Sequence, residues 1–242
     1  MRMPKRHYAD LHVRVVSEGD SPRLLIKMAK HLGLSLIALS LEDPHKLEDI
    51  KSIKDYCKEV GIDVAIRADL KPSSASELKR CLRKLRRSVE VIGVYCRDTA
   101  VARTAARDRR VDVTFYDPEN VLSILDEGQL SLLAESGHYV EVNLVDFLYV
   151  PPEKQAKAMW NYGLALKRAV RRGIPIVVSS GASKIIEMRA PRELCALALL
   201  LLDEKELARE AVSTKPLELI RQNRERLSPN FVQPGVKVVD EW

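Results

Sequence analysis

The stretch that decides the fold is ADLHVRVVSEGDSPRLLIKMAKHLGLSLIALSL, residues 9–41. Its first eight and last seven residues are mostly apolar, as expected of buried strands. The amphipathic segment between them predicts a helix, because Ser21 stands at the N-cap position, Pro22 in the first turn and Gly33 at the end. A strand, a helix and a second strand in this order indicate two parallel strands joined by a right-handed crossover.

The same alternation of strand and helix patterns continues along the chain. Further strand patterns, starting roughly 25–35 residues apart, cover 63–70, 89–96, 111–117, 139–145 and 174–180. We also expect a short eighth strand after Arg189. These units predict an α/β fold, a (β/α) TIM-like barrel. The absence of a GxGxxG motif after the first strand argues against a doubly wound sheet.

The C-terminal part of the chain changes character. After Pro191 it carries three helical patterns, which predict extra C-terminal helices. No linker rich in Gly, Ser or Pro divides the sequence, so we expect a single domain over residues 1–242. The last segment, 228–242, is interrupted by proline and is expected to form an extended C-terminal arm.

The composition, 46% hydrophobic and 31% charged, is typical of a globular protein. The longest apolar run, CALALLLL at 195–202, is shorter than the roughly 20 residues that span a bilayer. The basic stretch MRMPKRHY leads into no apolar signal core. We therefore expect a cytoplasmic protein with no membrane partner. The four cysteines form no CxxC pair, which argues against a zinc ribbon and a disulfide framework.

The positive charge of the chain is concentrated in one segment. Residues 79–110 contain eleven Lys and Arg against three acidic residues, a net charge of +8, whereas the whole chain carries +6. The remainder is therefore acidic by two charges. This imbalance predicts a polyanionic partner, although a solvated helix face would show a similar run of charge.

Strand alternation predicts an ionic barrel interior. On the first strand, Leu11, Val13 and Val15 are expected to face the helices. The inward-facing positions of the first, third and sixth strands then carry a polar set: Asp10, His12, Arg14, Arg67, Asp69, Glu141 and Asn143. Because buried charges must be paired, we expect these side chains to form an internal network in which Arg14 pairs with Asp10.

A second interpretation places a functional site at the carboxyl ends of the strands, where active sites of TIM barrels lie. Arg97, Asp117, Asp146 and the SSGAS stretch at 179–183 would gather there.

An Asp and a His on one strand also begin the metal sites of several phosphoesterases, and Asp10 and His12 fit that start. A metal cluster needs further ligands, since each ion takes four to six. His31 lies in a helix pattern and His138 precedes a strand at the opposite barrel end, so His45 is the one plausible addition. We therefore predict no metal ligands and no catalytic residues in this chain.

Five motifs in this order and spacing carry a family resemblance. They are DLHV (10–13), EVNLVDFL (141–148), GIPIVVSSGAS (173–183), RAPRELCALALLLL (189–202) and AVSTKPLELIRQNRERL (211–227). Together they resemble the family of archaeal ribonuclease P protein component 3, which corresponds to the thirty-kilodalton subunit of the eukaryotic enzyme. The resemblance covers nearly the whole chain, from about Tyr8 to Leu227.

The resemblance implies a barrel similar to the polymerase-and-histidinol-phosphatase superfamily, without most of its metal histidines. It implies a non-catalytic subunit of ribonuclease P, in which the RNA cleaves the 5′ leader from precursor tRNA with its own magnesium ions. The implied partners are the ribonuclease P RNA, component 2 in a heterodimer or heterotetramer, and other ribonuclease P proteins. No cofactor is expected to bind this chain itself.

An RNA-binding subunit with 5% aromatic residues is expected to contact phosphates through Lys and Arg rather than to stack on bases. The candidate RNA contacts are Arg83, Arg86, Arg87, Arg97, Arg103, Arg107, Arg109 and Arg110. A second group around the SSGAS stretch consists of Lys184, Arg189 and Arg192.

Two alternatives remain open at the level of the sequence. One is a metal-dependent phosphoesterase of the polymerase-and-histidinol-phosphatase type, with Asp10 and His12 as ligands and Glu141, Asp117 and His45 as partners. The other is a protein-interaction barrel whose basic segment meets an acidic protein. Bound-metal analysis with phosphatase assays would identify the first, and nuclease resistance of the assembly would identify the second.

Overall fold

The computed structural model describes residues 6–41, 47–233 and 236–237, and all seven predicted strands are present. The strands are β1 (Ala9–Val15), β2 (Leu36–Leu41), β3 (Asp63–Leu70), β4 (Val91–Tyr95), β5 (Val113–Phe115), β6 (Tyr139–Asn143) and β7 (Ile176–Ser179). They form one parallel sheet in the order β1 to β7, with each strand hydrogen-bonded to the next. The predicted TIM-like barrel is confirmed.

Helices alternate with the strands and continue after them. They are α1 (Pro22–His31), α2 (Leu47–Val60), α3 (Ala75–Leu85), α4 (Thr99–Arg107), α5 (Val121–Ile124), α6 (Glu127–Ser136), α7 (Leu144–Leu148), α8 (Pro152–Arg171), α9 (Pro191–Leu202), α10 (Lys205–Ala211) and α11 (Thr214–Leu227). The predicted signals around α1 are confirmed: the Ser21 side chain accepts from the Leu24 N–H, and Gly33 has a φ of +84°. The extra C-terminal helices are α9, α10 and α11.

The barrel is nearly closed between β7 and β1. A parallel bridge joins Val13 to Ala182, and the Arg14 N–H donates to the Ala182 carbonyl at 2.7 Å. The eighth strand expected after Arg189 is wrong, because the chain enters α9 at Pro191. Proline suits the first turn of a helix and cannot donate to a strand ladder, so the local sequence begins a helix there.

A bulge in β1 changes which of its side chains face inside. The pairing with β2 shifts register between Asp10 and Val13. Leu11, predicted to face the helices, packs inside the barrel with Ala38. Asp10 instead pairs with Ile37, whose side chain packs on the helix-covered side. The inward placement of Asp10 is therefore wrong, because an extra residue in a strand reverses the side of every residue before it.

The amino end of the barrel is covered by α11. Ile220 of this helix packs against the apolar side chains that fill the amino half of the interior. The Asn223 side chain donates to the Glu90 carbonyl at 2.8 Å, and Arg224 forms an ion pair with Asp63 at 2.7 Å. The barrel is therefore closed at its amino end, and its accessible end is the carboxyl end of the strands.

After α11, β8 (Phe231–Gln233) and β9 (Val236–Lys237) pair as an antiparallel hairpin. Residues 234–235 and 238–242 of the predicted C-terminal arm lie outside the described residues. Over the described ranges, no helix combines the length and the apolar character needed to cross a membrane.

Candidate functional site

Four charged side chains form an ion network inside the carboxyl half of the barrel: His12, Arg67, Asp69 and Glu141. Arg67 is fully buried, and its two terminal nitrogens donate to the two Glu141 oxygens at 2.8 and 2.6 Å. Its Nε donates to Asp69 Oδ1 at 2.8 Å. Arg67 also donates to the Leu11 carbonyl at 2.8 Å, so this fork-shaped cation ties three strands together across the barrel.

His12 completes the network as a second cation. Its Nε2 lies 2.8 Å from Asp69 Oδ2, and its Nδ1 lies 2.9 Å from Asn143 Oδ1. Burial and the charge of Arg67 lower the pKa of His12, but the carboxylates of Asp69 and Glu141 raise it more, to about 9. The network therefore holds two cations and two carboxylates at neutral pH.

The two carboxylates stay ionised despite their burial, which by itself raises a carboxyl pKa. The charges of Arg67 and His12 outweigh that effect, lowering the pKa of Glu141 to about 2 and that of Asp69 well below its usual range. Hydroxyls satisfy further lone pairs, since Ser179 donates to Glu141 at 2.8 Å and Ser40 donates to Asp69 at 2.5 Å. A buried ion cluster with every member paired in this way is self-sufficient.

Gly93 on β4 makes room for the network. A Cβ at this position would lie 2.5 Å from Asp69 Oδ1 and 2.6 Å from Arg67 Nη2. The guanidinium therefore occupies the space that a side chain of β4 would fill in an ordinary apolar barrel.

Arg14 and Asp10 do not pair, contrary to the sequence-based expectation. The Arg14 Nε donates to the Gly181 carbonyl at 2.6 Å. Asp10 accepts from the backbone N–H groups of His12 and Ser180, both at 3.1 Å. The bulge separates the two side chains, because it leaves Arg14 inside the barrel and turns Asp10 toward the helices. Of the predicted polar set, the structure brings together His12, Arg67, Asp69, Glu141 and Asn143.

The donors proposed for a metal site are already engaged. Glu141 and Asp69 are bound by Arg67, and the His12 ring must lose a proton held with a pKa near 9 before it could act as a ligand. Within the described part of the chain, no three His, Cys, Asp or Glu side chains are grouped so that they could hold a metal ion. His45, the one further ligand that the sequence offered, lies outside the described residues.

The raised pKa of His12 predicts a pH-dependent stability. The imidazole binds its proton more tightly in the folded state, with a pKa of about 9, than at its ordinary value of 6.5. The resulting contribution, about 3 kcal/mol, is full below pH 6.5 and is lost as the pH rises through 9. Denaturant unfolding across this range should show that decline in the wild type. The His12→Gln variant should have lower but nearly pH-independent stability over the same window. An equal decline of stability with pH in the wild type and in the variant would show that His12 is not the titrating group.

Above the ion network, the carboxyl ends of the strands enclose a cavity of about 680 Å³. We call it the mouth cavity, and it is the position that ligand sites occupy in TIM barrels. Its polar and aromatic wall includes Arg14, Lys71, Tyr95, Asp117, Asp146 and Tyr149. Asp117 and Asp146 were expected at this end, as was Gly181 of the SSGAS stretch, whereas Arg97 is not part of the lining.

The eleven candidate RNA contacts divide into engaged and available side chains. Arg86 pairs with Asp112 at 2.5 Å, Arg103 pairs with Asp126 at 2.6 Å, and Arg110 pairs with Asp108 at 2.7 Å. Arg189 donates to two backbone carbonyls. Seven others are exposed and have no hydrogen-bond or ion-pair partner among the described residues: Arg83, Arg87, Arg97, Arg107, Arg109, Lys184 and Arg192.

The available side chains lie at two opposite ends of the barrel. Helices α3 and α4 run from the carboxyl end to the amino end, because each connects two parallel strands. The exposed arginines near their C-termini, which we call the amino-end arginines, are Arg83, Arg87, Arg107 and Arg109. Their two loops adjoin, since Arg86 donates to the Arg110 carbonyl at 3.2 Å. Arg97, Lys184 and Arg192 lie at the carboxyl end, after β4 and β7.

Several residues of the mouth cavity were missed at the level of the sequence. Lys71, Tyr95 and Tyr149 follow or end strands and helices, and nothing in a single sequence separates them from other surface residues. The sequence did carry a signal for the ion network, because an interior strand position occupied by Gly93 is unusual beside two charged interior positions on the neighbouring strand.

Comparison with known proteins gives a family-level match and close structural likeness. A family model described as RNase P subunit p30 matches residues 7–228. Ribonuclease P protein component 3 of Methanosarcina acetivorans is 28% identical over 239 residues, and the alignment covers 98% of each chain.

Solved structures show the same barrel. A chain in the cryo-EM structure of archaeal ribonuclease P with mature tRNA is similar with a TM-score of 0.83 and 19% identity, covering 96% of this chain and 98% of that chain. A Xaa-Pro dipeptidase is similar with a TM-score of 0.58 and 10% identity, covering 90% and 76%. Because a barrel of this shape occurs in proteins with different activities, these likenesses establish the fold alone.

Proposed function

The chain belongs to the RNase P subunit p30 family, and from this membership we propose that it is a protein subunit of ribonuclease P. It assists the catalytic RNA in the endonucleolytic removal of the 5′ leader from precursor tRNA. The observation that carries this proposal is the family match over residues 7–228, nearly the full chain. Cleavage is an activity of the assembled ribonuclease P, and this chain is a non-catalytic subunit of that assembly.

The barrel interior supports a non-catalytic role. The carboxylates that a metal-dependent phosphoesterase would use form ion pairs with Arg67 and His12 inside the barrel, so they are not available as metal ligands. The family match likewise favours the ribonuclease P subunit over the phosphoesterase alternative. We propose that magnesium acts at the RNA subunit and that this chain binds no cofactor of its own.

The RNA-facing surface is proposed to include the amino-end arginines. Four exposed cations without internal partners on adjoining helix ends are suited to phosphate contacts, which supply affinity with little sequence preference. Arg97, Lys184 and Arg192 form the corresponding group at the other end of the barrel. The proposed protein partners are component 2, in a heterodimer or heterotetramer, and other ribonuclease P proteins, in the cytoplasm.

Reconstitution of precursor-tRNA cleavage tests the function directly. The RNA subunit and its other proteins, at limiting magnesium, should cleave the 5′ leader faster when this chain is present. An assembly whose rate is the same with and without the chain would refute the proposed role. Cleavage by the chain alone would refute its non-catalytic character.

Charge reversal at the amino end tests the RNA surface. We expect the Arg87→Glu/Arg109→Glu variant to bind the RNA subunit more than about tenfold more weakly. The slope of log affinity against log salt concentration should become shallower by about two, because two phosphate contacts are lost. Filter binding over a salt titration measures both quantities.

A matched control is Arg171→Glu, which reverses an exposed arginine on α8 that lies outside the candidate set. It should leave affinity and salt slope nearly unchanged. A second comparison is Arg86→Gln, which should lower stability rather than RNA affinity, because Arg86 neutralises the buried Asp112. An equal loss of affinity in Arg171→Glu and in the double variant would contradict a localised RNA surface.

A further inference from the structure

The mouth cavity lies above the ion network, and most of the polar groups in its wall take no part in that network. Its volume of about 680 Å³ falls within the roughly 300–1,000 Å³ of small-molecule sites. Beneath it, the ion network holds two cations and two carboxylates, so the floor of the cavity carries no net charge. The groups in its upper wall therefore determine what the cavity binds.

Two cations of the upper wall, Arg14 and Lys71, are incompletely paired. The Nε of Arg14 is fixed by the Gly181 carbonyl at 2.6 Å, which holds the guanidinium at the cavity wall. No ion pair joins Arg14 to a carboxylate among the residues that the structure describes, and the same is true of the exposed Lys71. A fixed guanidinium with free N–H groups and an ammonium that lines the same cavity are suited to a phosphate.

The position of Arg14 is built into the backbone around it. Gly181 has a φ of +66°, and a Cβ there would lie 2.6 Å from Val145 Cγ2 and 2.9 Å from Asn143 Cβ. Only glycine therefore brings its carbonyl to this place against β6 and α7. The carbonyl that anchors Arg14 is thus fixed by packing rather than by a mobile loop.

Two partly exposed carboxylates, Asp117 and Asp146, also line the wall. Asp146 accepts from the Asn143 side-chain amide at 3.1 Å, and Asp117 lies 3.5 Å from the Tyr95 hydroxyl. The second Asp146 oxygen has no hydrogen-bond partner among the described residues, whereas the second Asp117 oxygen accepts from the Glu119 N–H at 2.8 Å and retains a lone pair. Carboxylates accept hydrogen bonds from amino groups of the kind that adenine, cytosine and guanine carry.

Aromatic rings also line the cavity. Tyr95 packs against Phe115 with ring centroids 5.7 Å apart, and Tyr149 is 71% exposed at the rim. The chain contains only twelve Phe, Tyr and Trp residues, and Tyr116 is a fourth that lines this one cavity. Aromatic side chains at a site with phosphate-binding cations are suited to stacking a base.

From these three features we propose that the mouth cavity binds one nucleoside monophosphate unit. Arg14 and Lys71 hold the phosphate, Tyr95 and Tyr149 pack against the base, and Asp117 and Asp146 accept from its amino group. The unit is either a free nucleotide or an unpaired nucleotide of RNA, and only the RNA source rests on the proposed function. The site lies at the opposite end of the barrel from the amino-end arginines.

Calorimetric titration of the full chain with AMP, CMP, GMP, UMP, inorganic phosphate and a short single-stranded RNA tests this site. We expect AMP, CMP and GMP to bind more tightly than UMP, whose base has no exocyclic amino group, and more tightly than phosphate. Arg14→Gln should weaken binding about tenfold or more, since a charge-assisted hydrogen bond is lost. Lys157→Gln, on α8 outside the cavity, should leave binding unchanged.

The outcomes separate the two sources of the ligand. Arg14-dependent binding of the mononucleotides assigns a free nucleotide, and Arg14-dependent binding of the RNA alone assigns an RNA residue. Absence of binding by every probe, equal affinity for phosphate and nucleotides, equal affinity for UMP and the other three, or indifference to Arg14→Gln would overturn the proposal. Lys71→Gln, at an exposed position without a recorded partner among the described residues, supplies a second variant that should weaken nucleotide binding without affecting folding. Because these titrations use the isolated chain, their failure is distinct from a failure of the cleavage reconstitution.

Discussion

Replacing Arg67 with methionine is expected to lower the free energy of unfolding by about 3–5 kcal/mol, the cost of removing one partner from a buried ion pair. Methionine keeps much of the apolar volume but removes the cation that donates two hydrogen bonds to Glu141, which then keeps His12 as its only cation, 3.5 Å away. Asp69 loses the same cation and keeps only His12. Urea-induced unfolding of the purified chain measures the difference.

The loss of stability should be smaller when the charge of Glu141 is removed together with Arg67. The Arg67→Met/Glu141→Gln variant is expected to be more stable than the sum of the two single changes, because the double change leaves no unpaired charge at position 141. Arg83→Met, which alters an exposed arginine on α3, should change stability by no more than about 0.5 kcal/mol. A loss at Arg67 as small as the loss at Arg83 would show that the ion network does not support the fold.

Gly93→Ala is expected to destabilise the protein by about 3 kcal/mol or more, at the upper end of the range for inserting a methyl group into a packed core. The new Cβ would lie 2.5 Å from Asp69 Oδ1 and 2.6 Å from Arg67 Nη2, so it must displace the ion pair itself. Thermal and denaturant unfolding would detect a change of this size.

A matched glycine-to-alanine control is available in α6. At Gly128 the added Cβ would come no closer than 3.0 Å to the Arg103 Nη2, the far end of a flexible side chain. Alanine is also favoured over glycine within a helix, so Gly128→Ala should leave stability unchanged or raise it slightly. If Gly93→Ala were equally harmless, Arg67 would not occupy the space that we assign to it.

The same ion network explains why an Asp–His strand does not build a metal site here. His12 points inward as such a ligand would, but among the described residues it faces the Arg67 guanidinium, Asp69 and Glu141 rather than further histidines. The positive charges of His12 and Arg67 stand where a bound cation would have to stand. The polar interior therefore contributes to the barrel, and the groups left for binding are the mouth cavity and the exposed arginines.

The fold was predictable from the sequence because its signals are local. Apolar runs, the helix cap at Ser21 and the spacing of the units identified the seven strands of the barrel, the first crossover helix and the C-terminal helices. The errors arose where local pattern is ambiguous. Arg189 precedes a proline-started helix rather than a strand, and the bulge in β1 turned Asp10 away from the interior.

The candidate RNA contacts show the same division. The sequence predicted eleven cationic RNA contacts but could not distinguish Arg87 from Arg86. Arg87 is exposed and unpaired among the described residues, whereas Arg86 neutralises the buried Asp112. That distinction depends on a carboxylate 26 positions away along the chain. It also could not show that Arg97 and Arg109 lie at opposite ends of the barrel.

The sequence by itself determined the α/β class, the barrel, the extra C-terminal helices, the family and the presence of an ionic interior. The fold class and the ionic interior depend on periodicity, caps and composition, which act between residues close together in the chain, whereas the family rests on a resemblance carried by five motifs in order. Only the tertiary structure decided which charges are paired, that Gly93 holds space for Arg67, and that Arg14, Asp146 and Tyr149 line one cavity. Those features depend on contacts between strands far apart in sequence, and a one-residue bulge is enough to change them.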